Sequence, residues 1–207
     1  MLKVLGRVTS INARKVLWTL EELGTPYERE DWGLPNRDPK VPEFLKLNPN
    51  AQVPVIIDDG FVLWESNVVM RYLAEKDGRG VIWPQDLKQR ALCEQWMQWQ
   101  ATELNPQWGY AVYALLRKAP GFDDPAKVEQ SLTKWGAKMK MLEDRLEGAG
   151  AYAGGATFSL ADIVLGLSLQ RWYAIPAELP AFPVIRRYYE GLKARPAGAR
   201  YMAEGLF

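Results

Sequence analysis

The sequence predicts an α+β protein whose strands are confined to about the first 77 residues, with helices in the remainder. Two strand-like apolar runs, 55–57 and Phe61–Trp64, flank a turn in this first part. A segment rich in glycine and proline, 78–86, follows them. Beyond it the apolar residues recur at helical spacing, without a run of strict alternation. We therefore predict a strand-containing domain at 1–77, a linker at 78–86 and an all-helical domain at 87–207.

The N-terminal residues predict a strand, a helix and a second strand. Lys3–Leu5 is the first strand, and a short polar turn at 6–12 follows it. The run ARKVLWTLEEL at 13–23 is an amphipathic helix, which Gly24 closes as its C-cap. The second strand is predicted at 27–31. If it pairs parallel to the first, a right-handed crossover joins the two.

A hairpin and a further helix follow. Proline lacks an amide hydrogen, so Pro54 should mark the first residue of a strand or an edge. The acidic pair and glycine at 58–60 predict the turn of a hairpin. After the returning strand, Ser66 is a suitable N-cap for a helix with the apolar spacing of Val68, Val69, Tyr72 and Leu73.

The second part of the chain predicts a series of helices. Apolar residues at 88–118 recur at helical intervals, although Pro106 must kink or split this segment. Another helix should run from Pro125 to Leu146. The sequence Ser159-Leu160-Ala161-Asp162 is a capping box at the start of an apolar helix reaching about Trp172. A last long helix is predicted at 184–194.

Composition excludes several classes of protein. The chain has 207 residues, 48% of them hydrophobic, and a formal charge of +1, which argues against nucleic-acid binding. It contains no histidine and one cysteine, so a Ser-His triad, a histidine metal site and an intrachain disulfide are excluded. Cys93 is expected in the core. No apolar run approaches the ~20 residues of a membrane span, and we expect a cytoplasmic protein.

The segment 44–75 resembles the glutathione-binding half of the glutathione S-transferase family. The resemblance is carried by Gln52-Val53-Pro54, the hairpin after it, and Glu65-Ser66, in that order and at the family's spacing. It implies a thioredoxin-like βαβαββα domain followed by an all-α helical bundle, and a cis bond between Val53 and Pro54. It also implies that Val53 and Pro54 meet the cysteinyl part of glutathione, whereas Glu65 and Ser66 hold its γ-glutamyl end.

The resemblance places the catalytic hydroxyl in the turn after the first strand. Ser10 corresponds to the serine of theta- and delta-like members, where the hydroxyl donates to the sulfur of glutathione; Thr9 and Asn12 are the neighbouring candidates. The alternative is that Ser10 or Asn12 merely caps the first helix. The helices after Asn12 and after Ser66 both lack an acid in their first turn, which is typical of helix ends that bind anions.

Other contacts follow from the same resemblance. Lys40 and Gln52 are candidates for the glycine carboxylate and the peptide of glutathione, although an exposed lysine is commonly just a solvated charge. In the helical domain the resemblance points to Glu103 and Asn105 for the γ-glutamyl end, across the interface of a homodimer. The candidates for the electrophile pocket are Trp108, Tyr110 and Tyr113. Aromatic residues at helical spacing are, alternatively, core residues.

The predicted function is a glutathione transferase that conjugates the thiolate of glutathione to small hydrophobic electrophiles, with glutathione peroxidase as a possible second activity. Glutathione is a co-substrate, and no cofactor, metal, nucleic acid or membrane is expected. Two alternatives with the same fold remain, a non-catalytic glutathione- or ligand-binding protein and a protein-interaction scaffold. Turnover separates the first of these from the enzyme.

Overall fold

The computed structural model describes residues 1–206, apart from the side chain of Ala149. These residues form two compact units, Met1–Trp83 with Leu206, and Pro84–Gly205. The chain passes from the first unit to the second within the predicted linker 78–86. Phe207, the last residue of the predicted helical domain, lies outside the described residues.

The first unit contains four strands and three helices among its described residues, as the resemblance implies. In chain order these are β1 (Lys3–Leu5), α1 (Ile11–Leu23), β2 (Glu28–Glu30), α2 (Pro42–Leu45), β3 (Val55–Asp58), β4 (Phe61–Trp64) and α3 (Ser66–Asp77). The strands form one mixed sheet in the order β2-β1-β3-β4. The first two strands are parallel, which was the condition set for a crossover between them, and β3 is antiparallel to both of its neighbours.

The hairpin between β3 and β4 has the predicted turn. Asp58 pairs with Phe61, which leaves Asp59 and Gly60 as a two-residue loop. Both loop residues have positive φ, 49° and 90°, as a type I′ turn requires. Asp-Gly is favoured in this turn because aspartate tolerates the left-handed region and glycine has no Cβ.

Two helix starts in this unit differ from the predictions. Helix α1 begins at Ile11, two residues before the predicted start, because Ser10 rather than Asn12 is its N-cap. Helix α3 has Glu65 as its N-cap, so the prediction that Ser66 caps it was wrong. Glu65 has φ 72° and ψ 103°, an uncommon conformation for a residue with a side chain, and it places Ser66 inside the first helical turn.

Among its described residues the second unit is built from helices joined by loops, without a strand. Its helices are α4 (Leu87–Trp99), α5 (Asn105–Ala111), α6 (Pro125–Ala149), α7 (Leu160–Ala174), α8 (Pro183–Lys193) and α9 (Pro196–Tyr201). Helix α6 extends three residues beyond the predicted end, and α9 was not predicted.

The segment predicted as one helix split by Pro106 is divided by two π-helical turns. These turns are Gln100–Leu104, directly before α5, and Val112–Leu116, directly after it. Proline has no amide hydrogen to donate to the preceding turn, so a change of hydrogen-bonding pattern next to Pro106 is expected. The chain nevertheless stays helical from Leu87 to Leu116, so the prediction that Pro106 kinks or splits this segment is met by a change of helix type and not by a break.

Helix α7 is the centre of the second unit. Every residue from Leu160 to Trp172 is buried, which is typical of a helix surrounded by others. The ring of Trp172 meets that of Trp135 from α6 edge-on, with centroids 4.9 Å apart.

The start of α7 has the predicted capping box. The amide of Ser159 donates to the Asp162 carboxylate at 2.8 Å, and Asp162 also accepts from the amide of Ala153 and the hydroxyl of Tyr188. Cys93 is fully buried, and burial raises the pKa of its thiol, so the core role predicted for it is confirmed.

None of the helices within residues 1–206 combines the length and the apolar character needed to cross a bilayer.

Candidate functional site

One end of the sheet brings three predicted site segments together. Leu5 at the end of β1 pairs with Val55 at the start of β3, and Val55 pairs with Trp64 at the end of β4. Paired residues on adjacent strands lie about 5 Å apart, so these three residues form a row across the sheet. The turn with Ser10, the Val53–Pro54 peptide and the Glu65-Ser66 pair therefore all leave the sheet at the same end.

Gly6 brings the start of α1 close to the Val53–Pro54 peptide. A Cβ placed on Gly6 would lie 3.0 Å from the Ala13 Cβ, 3.6 Å from the Val53 Cβ and 3.7 Å from the Pro54 Cα. The first of these distances is shorter than a normal carbon contact, so a larger residue would force the segments apart. The Val53–Pro54 bond is cis, as the resemblance implies.

Ser10 is the N-cap of α1. Its backbone is extended, and its hydroxyl accepts a hydrogen bond from the amide of Ala13 at 3.3 Å. This contact occupies one acceptor site of the hydroxyl and leaves its proton for another partner. Capping of the helix and donation to a ligand are therefore compatible roles for the same side chain.

The two neighbouring candidates occupy different positions. Thr9 is half-buried in the turn before the cap, and Asn12 is exposed in the first turn of α1. Asn12 is therefore not the helix cap.

The N-terminus of α3 is a second polar end beside α1. Ser66 is buried, Glu65 is exposed, and no acidic residue lies in the first turn of the helix. Lys15 of α1, itself buried, donates through its ammonium group to the Asn67 side chain at 3.5 Å. This contact joins the second turn of α1 to the first turn of α3. The positive end of each helix dipole is therefore not neutralised by an acidic side chain in the first turn of its own helix.

Sequence reasoning missed Asn48, which positions the proline loop. Its side chain is buried, and its amide donates to the carbonyl of Gln52 at 2.8 Å. The side-chain oxygen of Asn48 also accepts from the amide of Asn50 at 3.0 Å, which closes a tight Asx-type turn. The Asn48-Pro49-Asn50 sequence is a turn signal that could have identified this role.

The peripheral candidates on the first unit are exposed. Gln52 is exposed immediately before the Val53–Pro54 peptide. Lys40 is exposed in the loop between β2 and α2, where its amide donates to the Asp38 side chain at 2.9 Å.

The polar candidates of the second unit have partners within it. Glu103 is exposed and accepts from the ammonium group of Lys138 at 2.7 Å. The side-chain oxygen of Asn105 accepts from the side-chain amide of Gln100 at 2.7 Å.

The aromatic candidates separate into a core residue and two more accessible ones. Trp108 is buried, with its ring centroid 6.1 Å from that of Trp135, so the core alternative applies to it. Tyr113 is 39% exposed and stacks on Phe122 with centroids 4.7 Å apart. Tyr110 is half-buried and packs against the same ring.

Comparison with known proteins agrees with this architecture. Residues 1–75 match the family model described as glutathione S-transferase, N-terminal domain, and residues 125–191 match that of the C-terminal domain. The glutathione S-transferase GstB of Escherichia coli (strain K12) is 32% identical over 203 residues, which is 95% of each chain.

Solved structures give the same result over nearly the full length. The theta class glutathione S-transferase from Xanthomonas axonopodis pv. citri with glutathione bound has a TM-score of 0.93 and 32% identity, covering 100% of this chain and 99% of its own. Glutathione S-transferase I from mais, in complex with an atrazine glutathione conjugate, has a TM-score of 0.86 and 27% identity, covering 98% and 96%. The chain belongs to the glutathione S-transferase family.

Proposed function

We propose that this protein catalyses attack of the thiolate of glutathione on small, apolar electrophiles. Family membership supports the reaction type. The observation that carries the proposal is the common end of the sheet, from which the Ser10 turn, the cis Val53–Pro54 peptide and the Glu65-Ser66 pair all emerge.

Ser10 is the residue that stabilises the thiolate. Its hydroxyl proton is not used by the capping contact with the amide of Ala13, so it donates to the sulfur. The positive end of the α1 dipole acts in the same direction, because the first turn of this helix carries no acid. Thr9 and Asn12 are the alternative donors.

Only a modest interaction energy is needed to lower the pKa of the glutathione thiol. A free thiol has a pKa near ~8.5, and lowering it by about two units corresponds to about 2.7 kcal/mol. A hydrogen bond to a charged group contributes roughly 1.5–3 kcal/mol. A helix dipole adds typically about 0.3–1 kcal/mol. Ser10 and α1 together are therefore sufficient to keep bound glutathione largely ionised at neutral pH.

The rest of the tripeptide is held by the neighbouring segments. The backbone of Val53, turned by the cis bond to Pro54, pairs with the cysteinyl residue, since an exposed peptide can extend the hydrogen bonding of the sheet. Ser66 at the start of α3 binds the γ-glutamyl carboxylate, and the exposed carboxylate of Glu65 binds the amino group beside it.

Further residues are proposed to contact the two ends of the glutathione molecule. Lys40 and Gln52 are proposed for the glycine end, and both are exposed as ligand contacts require. Glu103 and Asn105 are proposed to reach the γ-glutamyl end from the partner subunit of a homodimer. That dimer is supported by the family and by two exposed apolar side chains on the first unit, Phe61 and Val68, at 51% and 38%.

The electrophile is proposed to contact Tyr110 and Tyr113. Aromatic rings suit apolar, planar electrophiles. The similar glutathione S-transferase I from mais has been solved in complex with an atrazine glutathione conjugate. Trp108 contributes by supporting this part of the chain from the core rather than by contacting the substrate. The cytoplasmic location and peroxidase activity stay predictions.

A thiolate titration with turnover tests the proposal. Glutathione at millimolar concentration should raise the melting temperature by binding the native state, and ultraviolet absorbance should report a lowered thiol pKa in the complex. The rate of conjugation of glutathione to chlorodinitrobenzene should rise with pH in proportion to the fraction of bound glutathione that is in the thiolate form. Binding without turnover would leave the non-catalytic alternative, and absence of binding by calorimetry would remove both ligand-based functions.

A further inference from the structure

The second unit contains a cavity of about 950 Å³ that the proposed reaction does not use. It is bounded by the end of the Val112–Leu116 turn, the loop before α6, the first half of α6 and the loop before α8. Its apolar lining includes the following side chains: Leu115, Phe122, Val128, Leu132, Leu179 and Pro180. This volume is in the range of pockets that hold organic molecules.

The cavity adjoins the proposed electrophile contacts, because its lining residue Phe122 packs against Tyr110 and Tyr113. None of the candidates from Thr9 to Tyr113 is among its lining residues, all of which belong to the second unit. The aromatic side chain in its lining is Phe122, and the other apolar side chains that line it are aliphatic. An occupant would therefore contact aromatic and aliphatic groups.

The charges at the cavity are unbalanced. Asp123, Glu129 and Glu178 line it, against the single cation Lys118. Three carboxylates against one ammonium group leave an excess of two negative charges, although the whole chain has a formal charge of +1. Among residues 1–206, none of these four side chains has an ion pair or hydrogen bond with another residue. Their field is therefore available to a ligand.

We propose that this cavity binds small amphipathic organic cations, with an aromatic body against the apolar walls and a protonated amine near the carboxylates. The apolar lining disfavours fully polar cations, because it offers them no hydrogen-bond partners in exchange for water. The excess negative charge disfavours carboxylate and sulfonate ligands of the same size.

Three naphthalene probes that differ only in charge test the proposal. They are 1-naphthylmethylamine, 1-naphthylmethanol and 1-naphthoate, and their binding to the full chain is measured by fluorescence anisotropy with and without glutathione. The amine should bind at least about tenfold more tightly than the carboxylate. Each of the two excess negative charges of the cavity, about 7 Å from the ligand in a water-like dielectric, changes the affinity of a charged ligand roughly threefold. Saturating glutathione should leave the ranking unchanged.

Single substitutions should change the amine affinity in opposite directions. Glu129→Gln and Glu178→Gln should each weaken it about threefold, whereas Lys118→Asn should strengthen it by a similar factor. Asparagine suits position 118 because this residue has φ 47°. The matched control is Glu147→Gln, an exposed acid about 27 Å further along α6 at 1.5 Å per residue, which should have no effect.

Filling the cavity separates this site from other apolar surfaces. Ala137 lines the cavity and is exposed, so Ala137→Trp should fold and abolish binding of the amine while leaving glutathione binding intact. The proposal fails if the carboxylate binds as tightly as the amine, or if Ala137→Trp leaves amine binding unchanged. It also fails if no probe binds because a second copy of the chain covers the cavity at the concentrations used.

Discussion

Replacement of Ser10 by alanine and by aspartate separates the two roles of its hydroxyl. Alanine removes both the acceptor for the Ala13 amide and the donor for the sulfur. Aspartate keeps an acceptor at the N-cap but has no proton to donate at neutral pH, and it adds a negative charge beside the thiolate. The two variants should therefore rank differently in stability and in thiol pKa.

The expected magnitudes follow from the geometry. The capping contact is long, 3.3 Å, so Ser10→Ala should cost about 0.5–1 kcal/mol of unfolding free energy, the lower part of the range for N-caps. Loss of the donated hydrogen bond, roughly 1.5–3 kcal/mol, should raise the pKa of bound glutathione by about one to two units at 1.36 kcal/mol per unit. Ser10→Asp should retain near-wild-type stability and raise the thiol pKa further than alanine does.

The measurements are urea unfolding of the free protein and ultraviolet titration of the thiolate in the complex. Thr9→Ala is the matched control, because Thr9 lies in the same turn but does not cap the helix. If the thiol pKa follows stability, so that aspartate behaves like serine and only alanine raises it, Ser10 acts through the helix and the donor role is refuted. If Thr9→Ala rather than Ser10→Ala raises the pKa, Thr9 is the donor.

Two further predictions concern the structure around the site. The Lys76 ammonium and the Tyr72 hydroxyl, which donate to Asp58 at 2.5 and 2.6 Å, hold the pKa of that carboxyl below its ordinary value. The ionised Asp58 carboxylate therefore stabilises the folded protein at pH values above its unfolded-state pKa, and this stabilisation is lost as pH falls through its folded-state pKa. Asp58→Asn should lower the melting temperature at pH 7 and have little effect on it near pH 2. An equal loss of melting temperature at the two pH values would contradict this origin. Gly6→Ala should weaken glutathione binding and cost about 1–3 kcal/mol, because its Cβ would approach Ala13 to 3.0 Å. Calorimetry should show no such effect for Gly109→Ala, whose Cβ meets no atom within 4 Å, and equal behaviour of the two variants would count against the close approach.

Local signals in the sequence predicted most of the elements. The Asp59-Gly60 turn and the α7 capping box agree with the structure, because turns and caps depend on residues close in the chain. The cis bond at Pro54 came from the family resemblance. Within the site, Ser10 was a candidate both for the helix cap and for the thiolate donor; it is the cap, and its geometry is compatible with donation as well.

Predictions that depended on tertiary packing were less accurate. Ser66 is not the cap of α3, because the strained backbone of Glu65 fixes where the helix begins. The resemblance made Trp108 a candidate for the electrophile pocket, yet it is buried and packs against Trp135. The cavity beside α6 and its carboxylates could not be inferred, since its walls come from segments more than 60 residues apart in the chain.

The amino-acid sequence by itself determined most of the strand-and-helix order, the hairpin turn, the capping box of α7 and the family, because each of these depends on short stretches of residues. Tertiary structure alone decided which ends of the sheet and which helix starts come together, and which aromatic rings are buried. The physical reason is that burial and strand pairing are collective. They depend on the free energy of packing distant segments, which no single stretch of the chain specifies.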